Sequence, residues 1–444
     1  MPPPERVEQR TAAVLSVGDE LTLGQTLDTN SKWISERLFD LGLSPLEHVT
    51  VPDDTARQAA ALRRLAGEVD VVICTGGLGP TADDLTRDAL ALASEDELVE
   101  DPLALAQVEE FFAARGRPMP PLNRVQARRP SRGLSLPNLN GTAPGLWARM
   151  PGGAEVFCLP GPPGELKPMF EAQVVPRLRP VRSRLVRTRV VHCFGIGESD
   201  LAARLGPVMD RSRNPLVGTT ASGGVVSCRI RFEGSVDEES CEAALTQAEQ
   251  DVRAAAGVYA FGAGDERLPG ALLRLLRERG ETLGTVESCT GGLLGSMITD
   301  MPGSSVAFVG ALVTYSNRLK TLLAGVEPGM FEHAGPGAVS AACALALARG
   351  GLERLGCTHA LSITGIAGPD GGVPAFDGRD AKPVGTVFIA RASADGSSQV
   401  RRFRFAGDRG SVRHWSAMSA LAMLRLHLVG AGETALLREA PRAQ

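Results

Sequence analysis

Strand-like runs that break on glycine recur along this chain, and nothing else in it restricts the fold as much. "DVVICTGG" (residues 70–77), "ETLGTVESCTGG" (281–292) and "LSITGIAGPDGG" (361–372) each carry an apolar, β-branched stretch into a glycine pair. Ahead of the first, "TAAVLSVG", "NSKWISERLFDLG", "LEHVTV" and "TARQAAALRRLAGEV" read as strand, helix, strand, helix. Asn30 or Ser31 opens the first of these helices and Gly42 stops it. Such alternation specifies α/β architecture, because each amphipathic helix covers one face of a mainly parallel sheet. Residues 11–175 are therefore expected to form a three-layer α/β domain.

The style changes over 176–262. "SRLVRTRVVHCFG" and "GGVVSCRIRFEG" are β-rich, and they alternate with helical "ESDLAARLGPVMD" and "DEESCEAALTQAEQDVRAAAG". A small α+β module fits that pattern, with "FGAGDERLPG" as a linker that has nothing to bury. Residues 268–430 then form a second α/β unit, from the helix "LPGALLRLLRERG" to the amphipathic "SVRHWSAMSALAMLRLHL".

Composition removes several function classes. A net charge of −4 gives no reason to expect nucleic acid or an anionic membrane as partner. The eight cysteines include no CxxC pair, so neither a zinc site nor a small disulfide framework is expected. Most should be buried small hydrophobes in a reducing compartment. "MPPPERVEQRTAAV" lacks the apolar core of a signal peptide, and no run is long enough to span a membrane. A cytoplasmic location is the expectation.

"TVESCTGG" (285–292) places three potential nucleophiles where a helix begins. Helix N-termini present unpaired N–H groups and partial positive charge, so a hydroxyl attacking a carbonyl there finds donors for the developing oxyanion. The plainer alternative is that Ser288 and Thr290 cap the helix. Serine also needs a base. "VAFVGALVTYSNRLKTLL" offers Lys320 in the first turn of a helix capped by Asn317, where burial and the helix dipole both disfavour the ammonium. Tyr315 is a neighbouring proton relay; the alternative is a surface lysine and a core tyrosine. The glycine-rich "LSITGIAGPDGG" can wrap amides around an anion, and Arg409 in "FAGDRG" stands ahead of the last helix. His333 and His414 belong to no recognisable triad, and Cys289 as nucleophile would want a histidine.

"TVESCTGG", "VTYSNRLK", "ITGIAGPDGG", "KPVGTV" and "FAGDRG" together resemble the nicotinamide mononucleotide (NMN) deamidase domain of the CinA family. The resemblance implies a serine/lysine amidohydrolase with Ser288 as nucleophile, Lys320 as general base and Tyr315 beside them. NMN plus water would give nicotinate mononucleotide plus ammonia, without a cofactor. Candidate substrate-binding residues are Cys289, Thr290, Gly291, Gly292, Gly365, Gly368 and Arg409. Two stretches depart from the family pattern: "HAGPGAVS" (333–340) and the longer loop "VPAFDGRDA" (373–381).

In the first domain, "ICTGGLGPTADDLTRDAL" is a strand, a glycine-rich turn and a helix, with Asp83 and Asp84 at the helix start. Its amides can cradle a phosphate, and carboxylates beside a phosphate call for a divalent cation. Alternatively Thr81, Asp83 and Asp84 are only cap residues. "SVGDELTLGQTLDTN" brings Asp19, Glu20 and Asp28 to a strand's carboxyl end, and "VPDD" brings Asp53 and Asp54 to the next, where parallel sheets bind ligands.

With "NLNGTAPG" and "LPGPPGELKPMF", these stretches resemble the molybdopterin-binding-like domain at the front of CinA proteins. That resemblance implies a metal-dependent ADP-ribose pyrophosphatase yielding AMP and ribose 5-phosphate. Candidate substrate contacts are Gly18, Glu20, Asp28, Asn30, Gly76, Gly77, Gly79, Asp83 and Thr142. Asp84 and Asp54 are the metal ligands ranked first, for Mg²⁺, Mn²⁺ or Co²⁺. The family also implies a homodimer, with the middle module as spacer or dimer contact. The rival readings are a deamidase whose first domain only binds a nucleotide or pterin, and a non-catalytic partner of DNA-uptake or repair machinery.

Overall fold

The structure, a computed structural model, describes residues 10–178, 185–234, 237–370 and 382–441. Its contacts divide the chain into two compact units, Met1–Arg187 with Phe232–Cys241 and Thr188–Arg231 with Glu242–Gln444. No helix among the described residues is long and apolar enough to cross a membrane.

The first unit is built on a six-stranded sheet. Its order is Ser44–Val51, Thr11–Val17, Val71–Thr75, Glu155–Leu159, Gly145–Arg149 and Leu134–Leu136. The first four strands run parallel and the last two antiparallel. Thr11–Val17 and Val71–Thr75 are almost wholly buried because both faces are covered. Leu62, Leu65, Leu90 and Cys158 fill one face, and Ile34, Leu38, Phe157 and Phe170 fill the other. The helix expected to be opened by Asn30 or Ser31 spans Asn30–Asp40, but Asp28 supplies the capping oxygens, accepting from Ser31 N at 2.9 Å and Ser31 Oγ at 2.6 Å. Gly42 follows that helix with φ +83°, as a terminating glycine should.

Two further sheets follow along the chain. The four-stranded one runs Leu216–Ser222, Val225–Gly234, Leu185–Phe194, Ala260–Ala263. Two of these strands escape the sequence reading: Leu216–Ser222, whose small and hydroxylated residues carry little apolar signal, and Ala260–Ala263 in the expected linker. Phe261 does bury itself there, 5% exposed, in the core shared with Leu268, Leu272 and Leu294.

The five-stranded sheet runs Phe308–Val313, Leu283–Glu287, His359–Gly365, Thr386–Ser393, Ser398–Arg404, three parallel and then two antiparallel strands. The last helix, Arg409–Leu428, lies against it with Leu421, Met423 and Leu424 fully buried. All eight cysteines are free and buried.

Candidate active sites

The strand Leu283–Glu287 ends at the turn Ser288–Gly292, and the helix Leu293–Thr299 follows. Gly292, at φ +92°, makes the left-handed step that lets the chain enter this helix. Neither Ser288 nor Thr290 caps it. Glu287 does: its carboxylate, fully buried, accepts from Gly292 N at 3.1 Å, Leu294 N at 3.0 Å and Gly295 N at 2.8 Å. The helix-terminal donors expected to face a substrate are therefore occupied from inside the chain. Ser288 N bonds Ile363 O at 3.0 Å and Gly291 N bonds Ser288 O at 3.0 Å. Among the described residues, the amides of Cys289 and Thr290 have no oxygen acceptor, and the buried Thr290 hydroxyl has no partner.

Ser288 and Thr314 follow neighbouring parallel strands of the sheet. The Thr314 N–H donates to Glu287 O at 2.7 Å. Lys320 reaches back from the helix Asn317–Ala324, and Nζ donates to Thr314 O at 3.0 Å and Tyr315 O at 3.5 Å. That helix is capped by Ser316, not Asn317, through Leu319 N at 3.3 Å. Lys320 is 2% exposed, and burial pulls its pKa below the usual lysine value. The thiols of Cys343 and Cys289 oppose part of that shift. Cys289 is itself pushed up to about 12, first by burial.

Tyr315 is exposed, and its hydroxyl accepts from Arg409 at 2.9 Å. Arg409 also donates to Gly368 O at 2.7 Å, so the last helix ties Tyr315 to the glycine-rich loop. Gly365 sits at the end of its strand, paired with Val387. Arg413, missed in the sequence, grips Thr290 O through Nε at 3.1 Å and a terminal nitrogen at 2.7 Å. Its i,i+4 spacing from Arg409 was the available signal. In "HAGPGAVS", Ser340 caps the helix Ala341–Leu355, and Thr364 donates to Ala338 O at 2.7 Å. "VPAFDGRDA" lies outside the described residues.

In the first unit, a cleft of about 450 Å³ opens at the carboxyl ends of the parallel strands. Gly18, Glu20, Asp28, Asn30, Gly76, Gly77, Gly79, Asp83, Asp84 and Thr142 all line it. Asn30 bridges its walls, donating to Gly161 O at 2.8 Å and Thr75 Oγ1 at 3.3 Å. Burial raises the Asp28 pKa, but hydrogen bonds from Ser31 outweigh it and leave the carboxyl below its ordinary value.

Two further residues organise the glycine-rich turn. Arg87, 1% exposed, donates to Leu78 O at 2.7 Å and to Gly79 O, while Thr86 Oγ1 donates to Gly76 O at 2.9 Å. The amides of Gly77 and Leu78 have no acceptor among the described residues. Gly77, at φ +64°, has no room for a side chain beside the Thr86 hydroxyl.

The two carboxylates ranked first as metal ligands do not fit that role. Asp54 lies outside the cleft lining; it caps the helix Thr55–Glu68 by accepting from Arg57 N at 2.8 Å. Asp84 stitches its own loop, accepting from Gly79 N at 2.7 Å, Thr81 N at 2.8 Å and the Thr81 hydroxyl. Among the described residues no three His, Cys, Asp or Glu side chains converge as a metal cluster. Asp53, beside Asp54, does face the cleft; burial first, and then Asp19, Glu20 and Asp83, raise its pKa.

Comparison with known proteins assigns all three parts of the chain. Residues 265–428 match the CinA C-terminal domain, 13–180 a probable molybdopterin binding domain, and 188–262 the damage-inducible protein CinA KH domain. A CinA-like protein of Geobacter sulfurreducens is 42% identical over 94% of this chain and 99% of its own. One from a Synechococcus species is 40% identical over 94% and 98%. The crystal structure of a competence/damage inducible protein from Agrobacterium tumefaciens is 34% identical over 36% of this chain and 93% of its own, with a TM-score of 0.34.

Proposed function

The chain belongs to the CinA family, and from that membership we propose that its C-terminal domain hydrolyses the carboxamide of NMN, with Ser288 as nucleophile and Lys320 as base. The observation that carries this reading is the buried lysine head, 3.0 Å from the Thr314 carbonyl at the strand end beside Ser288, with a depressed pKa. An amine held by two carbonyls and no carboxylate is poised to be a neutral base.

Ser288 Oγ attacks the carboxamide carbon and passes its proton to Lys320 Nζ. The amides of Cys289 and Thr290 donate to the oxyanion. As the C–N bond breaks, the protonated Lys320 hands its proton to departing ammonia; the Tyr315 hydroxyl is the alternative donor. Water then attacks the acyl-serine, releasing the carboxylate and restoring Ser288. Arg409 and the loop at Gly365 and Gly368 are the candidate contacts for phosphate and ribose. Ammonia release from NMN tests the proposal: it should vanish in Ser288→Ala and survive in Cys289→Ala. Equal activity in Ser288→Ala would remove the serine mechanism.

For the first domain we propose ADP-ribose as ligand, its phosphates meeting the amides of Gly77 and Leu78. The misfit of Asp84 and Asp54 favours a second reading, in which this cleft binds a nucleotide or pterin without cleaving it. Incubation with ADP-ribose and Mg²⁺, Mn²⁺ or Co²⁺ separates the two. AMP in the product identifies a pyrophosphatase, and no AMP with any of the three metals leaves the binding role. A homodimer is part of the proposal, to be measured by light scattering.

A further inference from the structure

A second cavity, of about 580 Å³, lies in the second unit, where the middle module meets the helices Leu293–Thr299 and Arg409–Leu428. That volume suits a small organic molecule. Ser288, Lys320, Tyr315 and Arg409 are not among its lining residues, so the amidase proposal makes no use of it. Its apolar wall is Phe261, Leu268, Leu293, Met297, Met301 and Met418. The Phe261 ring is held flat by the His192 ring stacked on it, with centroids 5.9 Å apart. Three unbranched thioethers let the wall adapt to the shape laid against it.

The polar lining is biased towards acceptors. His192 Nε2 lies 2.7 Å from Gly264 O, and a carbonyl only accepts, so this nitrogen carries the proton. In the neutral ring Nδ1 then accepts from the Ser227 hydroxyl at 2.8 Å, which leaves the serine oxygen only its lone pairs to offer. His414 repeats the pattern. Its Nε2 donates to Gly223 O at 2.9 Å, and Nδ1 of the neutral ring is an acceptor without a partner among the described residues. Asp265 and Asp300 also line the cavity; both are exposed, and neither carboxylate has a partner among the described residues. Glu266 is already paired with Arg274 at 3.1 Å. Arg267, exposed, sets one positive charge against the two unpaired acids. We propose that this cavity binds a small arylalkyl amine, its ring on the Phe261 and methionine wall and its ammonium on the Asp265 and Asp300 carboxylates. An ammonium brings donors and no acceptor, which is what this lining lacks. The wall supplies most of the affinity, and the exposed acids, screened by salt, supply the choice of ligand.

The test is calorimetric titration of the full chain with three indoles of similar shape: tryptamine, a cation; tryptophol, neutral; and indole-3-acetate, an anion. Tryptamine should bind about three- to tenfold more tightly than tryptophol at low salt, and indole-3-acetate should bind weakest. The gap should narrow in about 0.5 M NaCl. Ethylamine, the charge without the ring, should give no binding heat at the same concentration. Asp265→Asn combined with Asp300→Asn, two exposed positions, should bring tryptamine to the affinity of tryptophol and leave tryptophol within about twofold. Equal binding of the three indoles, or tightest binding of indole-3-acetate, overturns the proposal. So does a chain that takes up no tryptamine at about 10 mM, well above the range in which a cavity of this kind should fill. Tryptamine affinity unchanged in the double variant puts the amine elsewhere on the chain and also overturns it. Tryptamine that binds only while dissociating a dimer, seen by light scattering, gives the cavity to a second copy and overturns the small-ligand assignment.

Discussion

Lys320 is the residue on which chemistry and stability pull in opposite directions. It is 2% exposed, and no carboxylate among the described residues pairs with its Nζ, which rests on the carbonyls of Thr314 and Tyr315. Burial lowers its pKa from the ordinary value of about 10.4. Below the lowered value both folded and unfolded chains hold the proton, and the buried cation costs stability. Between the lowered and the ordinary value the unfolded chain binds more protons, so stability rises with pH across that window. The proposed reaction needs the free amine, so kcat/KM for NMN should climb through the same lowered pKa and level off below about pH 10.4. Lys320→Met should reduce ammonia release by about 10²–10⁴-fold. It should also raise the thermal midpoint at pH 7 by about 2–4 °C, a gain that shrinks towards pH 10. A lower midpoint at pH 7, measured by calorimetry, would contradict a burial cost at Lys320.

At the scale of elements, periodicity was legible and caps were not. Strand, glycine turn and helix follow one another at Val71–Thr75 and Leu283–Glu287 because burial on both faces writes itself into runs of apolar residues. Ser288 and Lys320 could be singled out as candidates because the motifs around them are local. Glu287 was not, since an acid that bonds amides five to eight residues on leaves no periodic trace; its one signal is a carboxylate closing a buried strand. Asp53 and Asp54 show the same limit. Neighbouring acids at a strand end look alike in sequence, yet one faces the cleft and the other caps the next helix. This separates two variants. Asp54→Ala should cost about 1 kcal/mol of stability and leave ADP-ribose binding unchanged. Asp84→Ala removes the acceptor for Gly79 N, Thr81 N and the Thr81 hydroxyl, so it should loosen the glycine-rich turn and, on the proposed reading, weaken ADP-ribose at least about tenfold. Titration calorimetry and thermal melts on both variants check the pair; equal loss of binding would return Asp54 to the site.

Over the whole second unit, the last helix joins the candidate active site to the middle module. Arg409 and Arg413 hold Tyr315, Gly368 and Thr290, while the adjacent His414 bonds Gly223 O at 2.9 Å and Trp415 lies under Gly224. Farther along, Arg425 donates to Val258 O at 2.6 Å and to Ala260 O. The module is thus part of the scaffold that aims the arginines, which a free-hanging spacer would not be. A side chain at Gly224 would meet the Trp415 ring at 2.7 Å, and φ is +85° there. Gly218, in the strand that leads to the same turn, has open space around it and an ordinary backbone. Gly224→Ala in the full chain should therefore cost about 1–3 kcal/mol in the second unit and lower kcat for ammonia release several-fold, with ADP-ribose binding untouched. Gly218→Ala should do neither. Loss of stability with kcat intact would mean that the helix keeps its arginines in place unaided, and the module would then be mechanically separate from the chemistry.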